Sequence, residues 1–309
     1  RLFMQLNHPG KQIPKNVNPQ QVAPSAVPLS KELAGLFNPP RELAADEIRD
    51  IIRRFGQSAH IAEKAGFSGV QIHAAHGYLL SQFLSPHHNR RSDEWGGSLE
   101  NRMRLLVEIY HEIRRQTSDG FTVALKLNSA DFQKGGFSED ESVQVLAKMA
   151  ELGIDLLEIS GGNYESPAMM EGVKDSTRRR EAYFLDYAGK ARAVIGEVPL
   201  VITGGFRSAA TMNEALADGS IDMVGMAKPF AVMPDAANRL LDGSLQRIDT
   251  PPVRTGVKLI DQKVGGFLEL YWYTKQLSLL GAGQLPQPNY SAWRTLWTLV
   301  RDGFKKERA

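Results

Sequence analysis

His73, His76 and Tyr78 lie within six residues of one another in the run IHAAHGYLLSQFLSP (Ile72–Pro86). Two imidazoles at this spacing can donate paired hydrogen bonds to a single carbonyl oxygen and draw electron density out of it. A phenol beside them can deliver a proton as a general acid. The spacing is equally open to plainer readings, a metal-binding pair or two histidines satisfied within a loop. A metal would want a third and fourth ligand, and acidic residues at the other strand ends are sparse. Glu158 lies within a strand, where the pattern leaves its side-chain direction open.

The elements that must position these groups alternate between strand and helix. Leu2–Leu6 reads as an apolar strand, followed by a Pro- and Asn-rich loop from Pro9 to about Pro40. Asp46–Lys64 reads as a helix with Ile48, Ile51, Ile52, Phe55 and Ala59 along one face, ended by Gly66. Gly69–His73 is the next strand. Ser98 is an N-cap with Glu100 in the first turn, opening a helix whose apolar face carries Leu99, Met103, Leu106, Tyr110 and Ile113. Phe121–Leu127 is a strand. Ser138 and Glu141 form a capping box before a helix ending at Gly153. Ile154–Ser160 is a strand, Tyr187–Ile195 a helix and Pro199–Thr203 a strand. Ser208 caps a helix to Asp218, and Ile221–Met226 is the last strand.

Six strands, five preceded by a helix, imply parallel β-structure with right-handed crossovers. An open doubly wound sheet and a closed eight-stranded barrel both satisfy that pattern. The polar residues favour the barrel: Gln5, His73, Lys126, Ser160, Gly204 and Lys228 all fall at strand carboxyl ends, where barrel enzymes build their sites. The expected fold is therefore α/β, a (β/α)8 TIM barrel with about six of its eight units present. It would occupy residues 1–250, with a helical extension packed on it over residues 251–309. Tyr271, Trp272, Tyr273, Trp293 and Trp297 read as core or interface of that extension rather than a cofactor box. The chain opens on Arg1 and runs directly into the strand-like LFMQLNH, from which we expect residues missing upstream.

Composition narrows the partners. A chain 42% hydrophobic and 23% charged has ordinary globular composition. Lys and Arg total 37 against 35 Asp and Glu, without a long run of like charge, so neither a nucleic-acid arm nor a polybasic anchor is indicated. Cysteine is absent, which removes disulfides, thiolate catalysis, zinc–cysteine sites and cysteine-ligated iron–sulfur clusters from this chain. This fits a reducing, cytoplasmic setting. No stretch approaches the roughly 18–20 apolar residues of a membrane span. The expected partner is a small molecule, and a homo-oligomer stays open.

Four motifs extend the reading. NRRSDEWGGSLENR (Asn89–Arg102) follows the His/Tyr cluster, and QLNHPGKQ (Gln5–Gln12), ITGGF (Ile202–Phe206) and VGMAKPF (Val224–Phe230) flank it in order. With them the chain resembles the old yellow enzyme family of FMN oxidoreductases over nearly all of Leu2–Leu241. The resemblance implies FMN as cofactor and NADH or NADPH as hydride donor. Gln5 would bond the flavin's pyrimidine edge, and His73 and His76 would grip a substrate carbonyl oxygen above the ring. Tyr78 would protonate the adjacent carbon. Lys126 stands where many members carry arginine beside the pyrimidine carbonyl. Gly204 and Gly205 match the phosphate-binding turn, Ala227 stands where many carry glycine, and Lys228 stands where most carry the phosphate-gripping arginine. Taken by themselves, Lys126 and Lys228 read more readily as strand-end charges in solvent than as cofactor ligands.

The implied activity is reduction of the electron-poor C=C bond of α,β-unsaturated carbonyl compounds, with ping-pong kinetics. Gly96, Gly97, Asp93, Glu100, Asn101 and Arg102 read as scaffold, His87 and His88 as exposed loop histidines. Arg178–Arg180 reads as a solvated basic run, with a rim contact to nucleotide phosphates as the alternative. Competing readings are a metal-dependent barrel hydrolase using His73 and His76, and a truncated, non-catalytic remnant of the barrel. An iron–sulfur branch of the family is disfavoured by the missing cysteines.

Overall fold

The computed structural model describes residues 1–31, 33–160, 186–204 and 206–306. In chain order the elements are β1 (Phe3–Leu6), β2 (Val22–Ala23), β3 (Arg41–Glu42), α1 (Ala45–Lys64), β4 (Gly69–Ala74), α2 (Leu79–Leu84), α3 (Leu99–Gln116), β5 (Thr122–Asn128), α4 (Glu139–Glu151) and β6 (Leu156–Ser160). They continue with α5 (helical residues 186–195), β7 (Leu200–Thr203), α6 (Ala209–Ala217), β8 (Met223–Gly225), α7 (Lys228–Val232), α8 (Ala236–Leu241), α9 (Lys258–Gly281) and α10 (Ala292–Lys306).

Six strands form one sheet in the order β1-β4-β5-β6-β7-β8, and the pairs from β1 to β7 are parallel. The spatial order is the chain order. A doubly wound sheet reverses direction at a switch point; this one never does, which is the progression of a barrel. Arg178–Arg180 and Gly205 lie outside the described residues.

The helices start where capping chemistry dictates. At α1 the Glu47 carboxylate accepts the Ala44 N–H at 2.9 Å and is held by Arg41. Ser98 Oγ accepts from Asn101 N at α3, and Ser138 with Glu141 makes the full reciprocal box at α4. Ser208 Oγ accepts from Thr211 N at α6. On α3 the buried stripe is Arg102, Leu105, Leu106, Ile109, Tyr110 and Ile113, while Leu99 and Met103 are only half-buried. The expected face is thus rotated at its first turn, because Arg102 turns inward to donate to Leu84 O and pair with Glu141.

Strands β6 and β8 begin later than the apolar pattern indicates, at Leu156 and Met223. Asp155 and Asp222 are the cause. Each carboxylate accepts a backbone N–H of another strand segment, Val123 at 2.6 Å and Leu200 at 2.7 Å, and each is clamped by an arginine, Arg114 and Arg192. The same device thus occurs twice, at the start of two strands.

Period two divides the sheet. Val70, Ile72, Ala74, Val123, Leu125, Leu127, Leu157 and Ile159 are buried on one face, where a fully buried Ile or Leu side chain contributes about 1.5–3 kcal/mol. The intervening residues of β4, β5 and β6 include Gln71, His73, Lys126, Asn128, Glu158 and Ser160. The polar face is the one that matters for chemistry.

The described residues fall into two compact units. The first holds the chain to residue 160 with residues 186–202 and 220–223; the second holds 203–204, 206–219 and 224–306. In the second, Trp272 and Tyr273 of α9 are buried with Ala231, and Trp272 Nε1 donates to Tyr290 O at 2.8 Å. Trp293 and Trp297 of α10 stay exposed. Among the described residues no helix is long and apolar enough to cross a membrane.

Candidate active site

His73 lies next to the last residue of β4, and the chain then turns sharply. His76 adopts φ 61° and Gly77 φ 75°. A left-handed histidine costs about 1–3 kcal/mol and persists only where its surroundings fix it. Here Asn128 Oδ1 accepts the His76 N–H at 3.1 Å, Gln12 Nε2 donates to His76 O at 2.9 Å, and Gln82 Nε2 donates to Gly77 O at 2.7 Å. Tyr78 then starts α2, a short helix that the sequence pattern did not announce. The result brings three rings together: His73 to His76 and His73 to Tyr78 are each 5.1 Å between centroids, both edge-on.

The protonation of these histidines follows from their contacts. Ala75 N–H donates to His73 Nδ1 at 3.2 Å, so that nitrogen is an acceptor and the ring proton sits on Nε2. Burial pushes His73 down to about 4, aided by the Lys126 ammonium and opposed by Glu158. His76 is pushed to about 3 by burial, then by Lys126 and His73, and its Nε2 shares a 2.6 Å hydrogen bond with Ser160 Oγ. Both rings are neutral at pH 7, and a neutral imidazole N–H is a donor that carries no charge of its own.

A polar network extends from this cluster along the same face of the sheet. In register, His73 pairs with Lys126 and Lys126 with Glu158. Lys126 Nζ donates to Glu158 Oε1 at 2.7 Å, Gln71 Nε2 donates to Glu158 Oε2 at 2.6 Å, and Gln5 Nε2 donates to Gln71 Oε1 at 2.7 Å. Gln5 and Lys126 were expected at the site; Gln71 and Glu158 were not. Strand parity carried the missing signal, since Gln71 is two residues before His73 and Glu158 two before Ser160.

The second unit holds the other expected residues. Gly204 follows β7 with φ 128°, a conformation open to glycine. Ala227 precedes the short helix α7, which begins at Lys228. Lys228 Nζ pairs with Glu269 of α9 at 2.8 Å and lies 5.7 Å from the centre of the Tyr273 ring.

The signature loop is scaffold in the contacts it makes. Arg91 is clasped by Asp93 and donates to Pro24 O and Leu43 O, and Asn89 Nδ2 donates to Phe83 O and Trp95 O, both at 2.8 Å. A side chain at Gly96 would meet Arg91 O at 2.5 Å, so only glycine fits there. His88 corrects the sequence reading. It is buried, with Lys11 Nζ 2.9 Å from its Nδ1, and burial followed by the Lys11 charge lowers it to about 2. Lys11 itself is buried and donates to Val27 O and Pro28 O. Among the described residues no group of three or more His, Asp or Glu side chains is placed to hold a metal ion.

A sheet whose strands progress in chain order, with hydrogen-bond donors at its carboxyl ends, has the architecture of a (β/α)8 barrel, six of whose strands are present among the described residues. Comparison with known proteins gives the family: the chain belongs to the NADH:flavin oxidoreductase / NADH oxidase family, whose model matches residues 1–246. It is similar to an NADH-dependent flavin oxidoreductase of Aspergillus parasiticus, 39% identical over 246 residues that cover 79% of this chain and 55% of the relative. The chain thus spans about half the length of that relative. Among solved structures, the old yellow enzyme homologue from Zymomonas mobilis aligns with a TM-score of 0.64 at 27% identity, over 80% of this chain and 68% of that one. Morphinone reductase aligns with a TM-score of 0.64 at 26% identity, over 82% and 68%. Membership implies FMN as the cofactor.

Proposed function

We propose that this chain carries the site of an FMN-dependent oxidoreductase that reduces the C=C bond of α,β-unsaturated carbonyl compounds with NADH or NADPH. The observation that carries the reading is the packed His73–His76–Tyr78 cluster, with both imidazoles neutral and the His73 proton fixed on Nε2. The donor set fits FMN. Gln5 and Lys126 supply an amide and an ammonium on the polar face, suited to the carbonyls and N–H of a pyrimidine edge. In the second unit, taken by itself, Gly204, Ala227 and Lys228 are of the type that holds a phosphate.

Bound FMN, with Gln5 and Lys126 at its pyrimidine edge, would supply the hydride chemistry; the chain's own residues supply placement and polarisation. His73 and His76 hold the substrate's carbonyl oxygen and withdraw electron density, which leaves the β-carbon electron-poor. Tyr78 delivers the proton to the α-carbon from its phenol. Donor and alkene use the same space in turn, so initial-rate plots are parallel.

The test is an anaerobic visible spectrum of the purified chain with FMN, before and after NADPH and then after cyclohexenone. We expect bound flavin that bleaches and recovers. A protein that stays colourless with added FMN overturns the reading. In protein that binds FMN, Tyr78→Phe lowers the reoxidation rate by enone about 10²–10⁴-fold while the rate of bleaching by NADPH stays within a few-fold.

A further inference from the structure

Glu158 receives hydrogen bonds from two sides. The register pairs Gln71 with Ala124, and a residue with only a methyl group there lets Gln71 reach past β5 to Glu158 on β6. Lys126 occupies the other carboxylate oxygen. An ionised carboxylate can only accept hydrogen bonds. Gln71 must therefore turn its NH₂ toward Glu158, which leaves its carbonyl oxygen for Gln5. Gln5 must then commit an N–H to Gln71, so its own Oε1 and second N–H face away from the relay. The sense of the amide at Gln5 is thus dictated by a charge three strands further along the sheet.

The same carboxylate also acts on Lys126. Both side chains are 13% exposed, so solvent screens the pair only in part. A lysine standing alone on this face would present a full positive charge to whatever binds there; with Glu158 in contact, most of that charge is offset.

We propose that Glu158 is a positioning residue of the flavin site, which fixes the donor–acceptor sense of the Gln71–Gln5 relay and offsets the Lys126 charge. The consequence is a flavin of lower reduction potential than Lys126 alone would give. The inference rests on Gln5 and Lys126 as flavin contacts, and its tests are arranged to fail separately from that reading.

Two variants separate charge from orientation. Glu158→Gln keeps the shape, removes the charge and allows the relay to run in either sense. Glu158→Asp keeps the charge but shortens the reach to Gln71. The measurement is the ratio of dissociation constants for oxidised and reduced FMN in the loaded protein, together with the side-chain amide resonances of Gln5 and Gln71 in the flavin-free protein. For Glu158→Gln the ratio shifts about tenfold toward reduced FMN, which is a rise of about 30 mV for a two-electron couple. For Glu158→Asp the ratio stays within about threefold of the parent, roughly 15 mV, while both amide signals move. An unchanged ratio in Glu158→Gln, with FMN bound, overturns the charge-offset role. Unmoved amide signals in both variants overturn the relay. If the parent chain binds no FMN, the flavin reading itself fails, and the flavin-free amide spectra still decide whether Glu158 directs the relay.

Discussion

Lys126 meets Glu158 at 2.7 Å and Lys228 meets Glu269 at 2.8 Å, yet the two pairs sit in different surroundings. The first joins adjacent strands, is 13% exposed on both sides, and has Gln71 on the same carboxylate. The second joins two helices of the other unit with 44% and 28% of its side chains exposed, the ammonium lying near the Tyr273 ring. Distance therefore says little about what an ion pair is worth. Where water is mostly excluded, removing one partner is costly for the other. Where water reaches both ions, they part at small cost. The strand-borne pair is held in a fixed pattern, and the helix-borne pair parts readily.

The largest expected difference is in stability. Lys126→Met takes the ammonium away from a largely buried carboxylate, and we expect a loss of about 3 kcal/mol, the lower end for a broken buried pair because some solvent remains. Lys228→Met should cost less than about 1 kcal/mol. Urea unfolding midpoints at pH 7 measure both, and similar losses in the two variants would break the contrast.

Acid should distinguish the first unit next. His73 has an ordinary value of 6.5 and a folded value of about 4; His76 falls to about 3 and His88 to about 2. Below pH 6.5 the unfolded chain takes up protons on these rings that the folded chain refuses, so stability falls as pH drops from 6.5 toward 4. Each ring contributes at most about 1.4 kcal/mol per pH unit within that window. His73→Asn should flatten the decline of stability between pH 6.5 and 4.5, measured by urea unfolding at each pH. A slope identical to the parent's means that His73 is protonated in the folded state as readily as in the unfolded one.

Much of this was legible in the sequence because it is local. Strand–helix alternation, the caps at Ser98, Ser138 and Ser208, and the His73–His76–Tyr78 spacing all depend on neighbours a few residues apart. What escaped depends on partners far along the chain. Glu158 is 32 residues from Lys126 and 87 from Gln71, and nothing in its own neighbourhood names them. Glu269 is 41 residues from Lys228, beyond the span of the family match. His88 looked like a loop histidine because its loop is polar, but Lys11 reaches it from 77 residues away. The turn after Tyr78 hid a helix because Leu79–Leu84 is six residues long and buried throughout, Ser81 and Gln82 included, which is too short to mark a period.

The smallest effect bears on the exchangeable pair. If Lys228 holds the FMN phosphate, Glu269 competes with that phosphate for the same ammonium. Two unit charges about 4 Å apart in water interact by about 1 kcal/mol, which corresponds to roughly fivefold in binding. Glu269→Gln should therefore tighten FMN binding about threefold to fivefold at low salt, and less at high salt where the pair is already screened. Riboflavin has the ring without the phosphate, so its affinity should not move. Calorimetric titration of both ligands against parent and variant makes the measurement. A gain for FMN alone locates the phosphate at Lys228 and shows that the exposed pair opens to admit it. A gain for both ligands, or for neither, removes Lys228 from the phosphate site and leaves its contact with Glu269 as a surface ion pair between α7 and α9.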